Sequence, residues 1–204
     1  MNSEDQVKFA CVRCGNCCKD PNTIVNLCYT DIIRIKINLD LDLDELLEIV
    51  GFYIFSDDLN EDVKKRLIIP PLETERGLSF IGLLKSKTGA CIFYDGEKKK
   101  CKIYSIRPNF CRSFPFTFNS ERNSETLTIS ITKKGNDYCL GLTPDAPPIN
   151  KSQWFELGKN IIKDLQQNLR FTNHWNLLVR KQRIEPSAKE FLRKVLELKD
   201  AQKN

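Results

Sequence analysis

Histidine, methionine and long apolar runs are scarce in this sequence. Its 204 residues include one histidine and one methionine. His174 lies outside the cysteine-rich part of the chain, which disfavours hydrolysis by a nucleophile paired with histidine. No stretch approaches the roughly 18 to 20 apolar residues that span a bilayer, so no membrane association is expected. The first ten residues lack the apolar core of a signal peptide, and we therefore expect a cytoplasmic protein.

Cysteine, in contrast, is in excess. The chain has nine cysteines and 41% hydrophobic residues, enough apolar content for a core that needs no disulfides. In a reducing compartment such cysteines indicate metal ligation or redox chemistry rather than a disulfide framework. The odd total also argues against complete internal pairing.

The formal net charge of +5 is unevenly distributed along the chain. Acidic side chains dominate residues 30–62, whereas lysine and arginine dominate residues 85–112 and 151–204. The basic segments could form a face beside the cysteines that attracts an acidic partner or nucleic acid. The alternative is that they are ordinary solvated surface.

The first half of the chain carries two helix patterns. One helix is predicted from Thr30 onward, with Thr30 as its cap. A second is predicted to start at a cap on Asp42 or Asp44 and to end at Gly51.

Strand patterns follow in the middle of the chain. Residues 77–84 and 90–94 are predicted to form two strands joined by a turn, and the turn at Asp95-Gly96 leads to the next cysteine-bearing segment. Residues 126–132 alternate apolar and polar side chains, which is the period of a half-buried strand. Its predicted partner is residues 114–118.

The last quarter is predicted to be helical. Trp154, Leu157, Ile161 and Leu165 recur at helical spacing, and a final helix starts near Pro186. The elements together predict an α+β fold: a small antiparallel sheet with metal-tied cysteine loops, flanked by helices, with a C-terminal helical extension. We expect residues 1–148 to form a cysteine-cluster metal-binding domain and residues 149–204 to pack on it.

The string CVRCGNCC at residues 11–18 is the most informative motif. Two-residue gaps let successive thiolates turn toward one centre, and Gly15 permits a tight turn between ligands. Adjacent side chains diverge in extended backbone. Either only one of Cys17 and Cys18 is therefore a ligand, or the two face different centres.

A second set of cysteines is spread downstream, at Cys91, Cys101, Cys111 and Cys139. Their long gaps require the fold to bring them to the first loop, so that the metal would tie distant parts of the chain together. Four local and four distant cysteines could complete two four-thiolate sites. Cys28 would be left over, as a small buried apolar residue.

Two arginines flank one of these thiols. Arg107 and Arg112 could stabilise the negative charge of the Cys111 thiolate or bind an anionic partner or substrate. The alternative is that they make structural bonds to carbonyl and carboxylate groups.

The complete pattern resembles the YkgJ-type cysteine-cluster family. It comprises CVRCGNCC, Cys91, the run CKIYSIRPNFCRSFP at residues 101–115, and Cys139 with a glycine two residues later. The resemblance covers about residues 9–142 and implies a zinc- or iron-chelating domain. Its eight characteristic cysteines correspond to Cys11, Cys14, Cys17, Cys18, Cys91, Cys101, Cys111 and Cys139.

These observations favour an iron–sulfur protein that transfers electrons or supports an oxidoreductase reaction, with cysteine ligands and with Arg107 and Arg112 in the outer shell. Thiolates bind iron and zinc alike, so a structural zinc module for protein or nucleic-acid interaction is the alternative. Few aromatic residues interleave with the basic ones, which makes nucleic acid an unexpected partner. A protein redox partner or protein substrate is expected instead.

A modification enzyme is the third hypothesis. A flagellin lysine N-methylase is similar to this family, which implies a protein N-methyltransferase-like activity. The sequence has no glycine-rich methyl-donor loop after a strand and no cysteine triplet with gaps of three and two, so this hypothesis depends on the resemblance alone.

Overall fold

The computed structural model describes residues 7–55, 67–120 and 127–201. Within these residues the chain forms seven α-helices, one 3-10 turn and seven strands in three antiparallel sheets, and the predicted α+β class is confirmed. The helices are α1 (Asn16–Lys19), α2 (Tyr29–Leu39), α3 (Leu43–Leu47), α4 (Asn109–Ser113), α5 (Lys133–Tyr138), α6 (Lys151–Arg180) and α7 (Ala188–Ala201). The strands are β1 (Val50–Ile54), β2 (Leu72–Thr74), β3 (Gly77–Leu83), β4 (Tyr94–Asp95), β5 (Lys100–Cys101), β6 (Phe116–Ser120) and β7 (Leu127–Ile131).

Helix α2 has the predicted position but a different cap. It begins at Tyr29 with Cys28 as the N-cap residue, so the prediction of Thr30 as the cap is wrong. The side chain of Asp31 accepts a hydrogen bond from the backbone N–H of Cys28 at 3.0 Å. A carboxylate in the first helical turn thus satisfies a free N–H group, and no hydroxyl cap is needed.

Helix α3 starts as predicted and ends early. Asp42 is its N-cap, and Asp42 and Glu45 exchange side-chain to backbone bonds at 2.8 Å, a capping box. Gly51 does not end this helix, because the helix stops at Leu47 and Gly51 lies in β1. A glycine in a strand is expected where another chain approaches closely, and a Cβ on Gly51 would lie 2.8 Å from the Leu84 side chain.

The largest sheet has the strand order β1-β3-β2. Its register pairs Val50 with Leu83 and Leu72 with Ser79. The predicted hairpin of residues 77–84 with 90–94 is shorter than expected. It consists of a single bridge between Lys85 and Cys91, after which the chain turns into β4.

The two smaller sheets follow the sequence pattern closely. Strands β4 and β5 form a hairpin that pairs Tyr94 with Cys101. Strands β6 and β7 pair Phe116 with Ile131 and Ser120 with Leu127, which confirms the predicted partners. The first position of the predicted strand, Thr126, lies outside the described residues.

Helices α6 and α7 complete the main hydrophobic cluster. Trp175 of α6 is 2% exposed, its indole N–H donates to the carbonyl of Glu73, and its ring meets Phe191 of α7 edge to face. Phe191 also packs against Phe52 of β1. Both helices therefore share one core with α2, α3 and the largest sheet. The domain boundary at residue 148 stays a prediction.

None of the helices in the described parts of the chain combines the length and apolar character that crossing a bilayer requires.

Candidate metal centre

The N-terminal cysteine loop is held by the segment that follows the last cysteine. The backbone N–H of Ala10 donates to the carbonyl of Gly141 at 3.1 Å. A Cβ on Gly141 would lie 2.2 Å from the Ala10 carbonyl oxygen, so only glycine permits this approach. The contact brings the segment that carries Cys11 next to the segment that carries Cys139, although the two are far apart in sequence.

Gly15 sets the turn at the centre of the loop. It has a left-handed φ of 76° and precedes α1 directly, and a Cβ there would lie 2.6 Å from the Tyr94 ring. Glycine is thus required for conformation and for space. The turn starts α1, so Cys17 and Cys18 are helical rather than extended, and their Sγ atoms are 3.9 Å apart. The prediction that these two side chains point apart assumed an extended backbone, and this segment is instead helical.

Backbone hydrogen bonds bring the middle cysteines to this loop. The N–H of Cys91 donates to the carbonyl of Cys18 at 2.8 Å, and the N–H of Tyr94 donates to the carbonyl of Cys91 at 2.8 Å. Tyr94 in turn pairs with Cys101 across the β4–β5 hairpin. Cys18, Cys91 and Cys101 are therefore linked by a short path of main-chain contacts.

Cys111 lies on α4, whose start is fixed by the buried Asp31 and the half-buried Asp164. Asp31, which is 0% exposed, accepts the backbone N–H of Asn109 at 3.0 Å and forms an ion pair with Arg34. The side-chain amide of Asn109 donates to Asp164 of α6 at 2.7 Å. Burial raises the pKa of Asp31, whereas Arg34 and the donated N–H groups oppose that rise. Sequence reasoning missed this network because its members are far apart in the chain.

All eight predicted cysteines line one cavity of about 560 Å³. They are Cys11, Cys14, Cys17, Cys18, Cys91, Cys101, Cys111 and Cys139. Cys28 is 0% exposed and is not among the lining residues, in agreement with its prediction as a buried apolar residue. The role of the eight thiols as ligands stays a prediction.

The donor chemistry of the eight thiols fits a thiophilic metal, but the thiols do not form a closed set of ligands in this structure. Within residues 7–55, 67–120 and 127–201, no three Cys, His, Asp or Glu side chains are arranged so that they could hold one metal ion. Thiolates are the preferred donors for iron–sulfur clusters and structural zinc.

The charges of the thiols influence one another. A hydrogen bond from Cys18 and the nearby Arg107 guanidinium lower the pKa of Cys17 to about 7, against an opposing effect of burial. The same hydrogen bond, burial and the neighbouring thiols raise the pKa of Cys18. A proton is thus held more tightly at one sulfur of the adjacent pair than at the other.

The charge of Cys17 acts on thiols from both the middle and the end of the cysteine pattern, raising the pKa of Cys91, Cys101, Cys111 and Cys139. Burial and the charges of Cys91, Cys17 and Cys101 raise the pKa of Cys111. Burial and the charges of Cys14, Cys11 and Cys17 raise the pKa of Cys139.

Arg107, one of the two predicted arginines, lines the cavity. Its Nε donates to the Tyr104 carbonyl at 2.9 Å, and its guanidinium lies 3.8 Å from the centre of the Tyr104 ring. Arg13 also lines the cavity and lies 4.4 Å from the same ring centre. Sequence reasoning missed Arg13, although its place between two cysteines of the predicted ligand motif was a signal that it would face the site.

Arg112 is not among the residues that line the cavity. Burial and the charges of Arg34 and Arg107 lower its pKa, while Asp31 and Asp164 oppose this shift. It therefore lies near Asp31 and Asp164, the two acids that fix α4, and a contact with a cofactor stays a prediction for this residue.

A protein-family model matches residues 10–140. It is described as "CxxCxxCC: Putative zinc- or iron-chelating domain". The chain belongs to this family.

An uncharacterized protein of Methanocaldococcus jannaschii is 31% identical over 137 residues. The match covers 67% of this chain and 59% of that protein, so the chain spans less than two thirds of its relative. No solved structure matches the chain.

Proposed function

We propose that this protein holds two iron–sulfur clusters and exchanges electrons with a partner protein. The observation that supports it best is the cavity whose wall carries all eight family cysteines and omits the ninth. Eight thiolates are the ligand requirement of two four-cysteine centres. The volume of the cavity, about 560 Å³, is larger than a single metal ion requires.

The ligand partition follows the contacts between chain segments. One centre would use Cys18, Cys91, Cys101 and Cys111, since a main-chain path joins the first three. The other would use Cys11, Cys14, Cys17 and Cys139, since the Ala10–Gly141 contact joins the ends of this set. Cys17 and Cys18 are neighbours in α1, so the two centres would be adjacent.

Exposure at one side of the cavity supports electron exchange with a second protein. Cys11 and Cys17 are exposed, whereas Cys91 is buried. When bound, iron–sulfur clusters supply one-electron chemistry. In this proposal the protein holds the cysteine ligands in place, and the positive charge of Arg107 offsets part of their negative charge. The exposed side of the cavity, at Cys11 and Cys17, would be the contact surface for a partner in the reducing cytoplasm.

Metal analysis tests the choice of iron. Protein purified without oxygen should be brown, with about eight iron atoms and eight acid-labile sulfides per chain if both clusters have four irons. A colourless protein with two zinc ions per chain would replace this proposal with a structural zinc module, since thiolates suit both metals. Protein that binds neither metal after reconstitution would refute both versions.

Single substitutions test the partition. Cys101→Ser and Cys139→Ser should each remove about half of the metal, because each belongs to a different proposed centre. Cys28→Ser is the matched control and should keep the full complement. Loss of all metal from either of the first two variants would show that the cysteines form one centre.

A further inference from the structure

The cavity has an apolar wall in addition to its cysteines. This wall is formed by α4, the residue after it, β6 and α6, with the side chains of Phe110, Phe114, Phe118, Ile162 and Leu165. All five are half-buried. Part of their apolar surface is therefore left to face water, and burying that surface against a ligand would be favourable.

The apolar wall is backed by close packing and cannot simply collapse. Phe116, which also lines the cavity, is 2% exposed, and its ring centre lies 4.6 Å from that of Trp154, edge to face. A Cβ on Gly158 of α6 would lie 2.5 Å from the Phe118 ring, so the helix and β6 already approach as closely as glycine permits. The space in front of Phe118 is thus maintained by the fold.

Positive charge lies at the same cavity. The guanidinium groups of Arg13 and Arg107 both lie over the Tyr104 ring, at 4.4 Å and 3.8 Å from its centre. Neither forms an ion pair with a carboxylate among the residues that the structure describes. Lys134, another lining residue, is in contrast paired with Asp20. Two guanidinium groups are therefore available to an anion.

The lining of the cavity away from the cysteines suits a small organic molecule. Small-molecule sites are mostly apolar with a few placed polar groups, and here the apolar wall and two guanidinium groups line the same cavity. We propose that the cavity binds a small organic anion, with its aromatic or aliphatic body on the apolar wall and its charged group at Arg13 and Arg107. This deepens the proposed function, because it places a substrate or inhibitor beside the proposed clusters, and it rests on that function for any redox role of the ligand.

Two dyes with the same ring system provide the test. 8-Anilinonaphthalene-1-sulfonate carries one negative charge, and N-phenyl-1-naphthylamine is its neutral counterpart. Fluorescence titration of the full-length, metal-loaded protein should show saturable 1:1 binding of the anionic dye. Arg13→Gln should weaken the anionic dye about tenfold, the effect of one charged hydrogen bond, and leave the neutral dye within about twofold. Arg170→Gln is the control, since Arg170 is exposed on α6 and is not a lining residue.

Leu165→Trp adds a readout that does not depend on charge, because the larger ring would fill the cavity and should abolish binding of both dyes. The proposal is overturned if the anionic dye does not bind saturably, if Arg13→Gln leaves its affinity unchanged, or if Leu165→Trp still binds it normally in a protein with an unchanged circular dichroism spectrum. Metal content is measured on the same samples. Dye binding without metal would refute the proposed clusters alone, and metal without dye binding would refute the ligand site alone.

Discussion

Replacing Asp31 tests the inference that this buried carboxylate positions helix α4 and Cys111 on it. Asp31 is fully buried, accepts the N–H groups of Cys28 and Asn109 at 3.0 Å each, and pairs with Arg34. In Asp31→Ala both N–H groups lose their acceptor, at about 1 to 3 kcal/mol for each group left unsatisfied. Breaking a buried ion pair costs about 3 to 5 kcal/mol. These costs overlap, and the Arg34 side chain is 25% exposed and regains some hydration, so we expect a total loss of about 3 kcal/mol.

Urea denaturation of anaerobically purified protein, followed by circular dichroism, measures this loss. Asp31→Asn keeps one acceptor oxygen and should lose about half as much. Asp44→Ala is the control, because Asp44 is 76% exposed and pairs with the exposed Lys189. Such exposed pairs contribute about 0 to 1 kcal/mol. A loss below about 1 kcal/mol for Asp31→Ala would show that α4 is fixed by other contacts, and the positioning argument would be wrong.

Two further substitutions test the cysteine loop. Gly15→Ala should destabilise the protein by more than about 1 kcal/mol and lower its metal content. Gly15 has a positive φ, and the added Cβ would overlap the Tyr94 ring. Gly96→Ala, which meets no atom within 4 Å, should leave thermal unfolding and metal content unchanged. Equal effects of the two changes would contradict the role given to Gly15. Lys134 and Thr23 hold the pKa of Asp20 below its ordinary value. Its stabilising effect is therefore present at neutral pH and lost as the pH falls below about 4, the ordinary value. Asp20→Asn should flatten this acid limb in denaturation curves recorded from pH 2 to 7, and an unchanged limb would exclude the Asp20–Lys134 pair as its cause.

The sequence predicts much of the local structure because local rules decide it. The β6–β7 hairpin follows from the alternation of apolar and polar residues, and the start of α3 follows from the Asp42–Glu45 pattern. The long helix α6 follows from apolar side chains at helical spacing. In each case the side chains that set the structure lie within a few residues of each other.

The wrong predictions have one physical origin: the contacts that decide these features join residues far apart in the sequence. Cys28 replaces Thr30 as the cap of α2 because Asp31 faces inward, where it also accepts a bond from Asn109, 78 residues away. Gly51 belongs to a strand because β3 pairs with it. The orientation of Cys17 and Cys18 depends on the short helix that Gly15 starts beneath the Tyr94 ring.

The candidate site shows the same division between local and distant information. Which cysteines face one cavity was predictable, because ligand spacing and the family pattern both exclude Cys28. Which cysteines are neighbours was not, because that depends on main-chain hydrogen bonds such as those from Cys91 to Cys18 and from Ala10 to Gly141.

These main-chain bonds also distinguish the two proposed centres. Cys18, Cys91 and Cys101 belong to or pack against the main hydrophobic cluster, whereas Cys11, Cys14 and Cys139 do not. Cys18, Cys91 and Cys101 are therefore held by the core even without metal, whereas Cys111 of the same proposed centre lies outside this cluster, on α4. The second group is held by main-chain bonds between residues 7–10 and 141–149, among them Ala10 to Gly141 and Phe9 to Pro147. Binding free energy that orders a loop is also folding free energy. If the two centres form as proposed, metal would stabilise the segment of the second group more than it stabilises the core cysteines, because the core holds Cys18, Cys91 and Cys101 in any case. Occupancy of the second centre and the order of residues 7–18 would then be coupled, whereas the core would persist without the first centre.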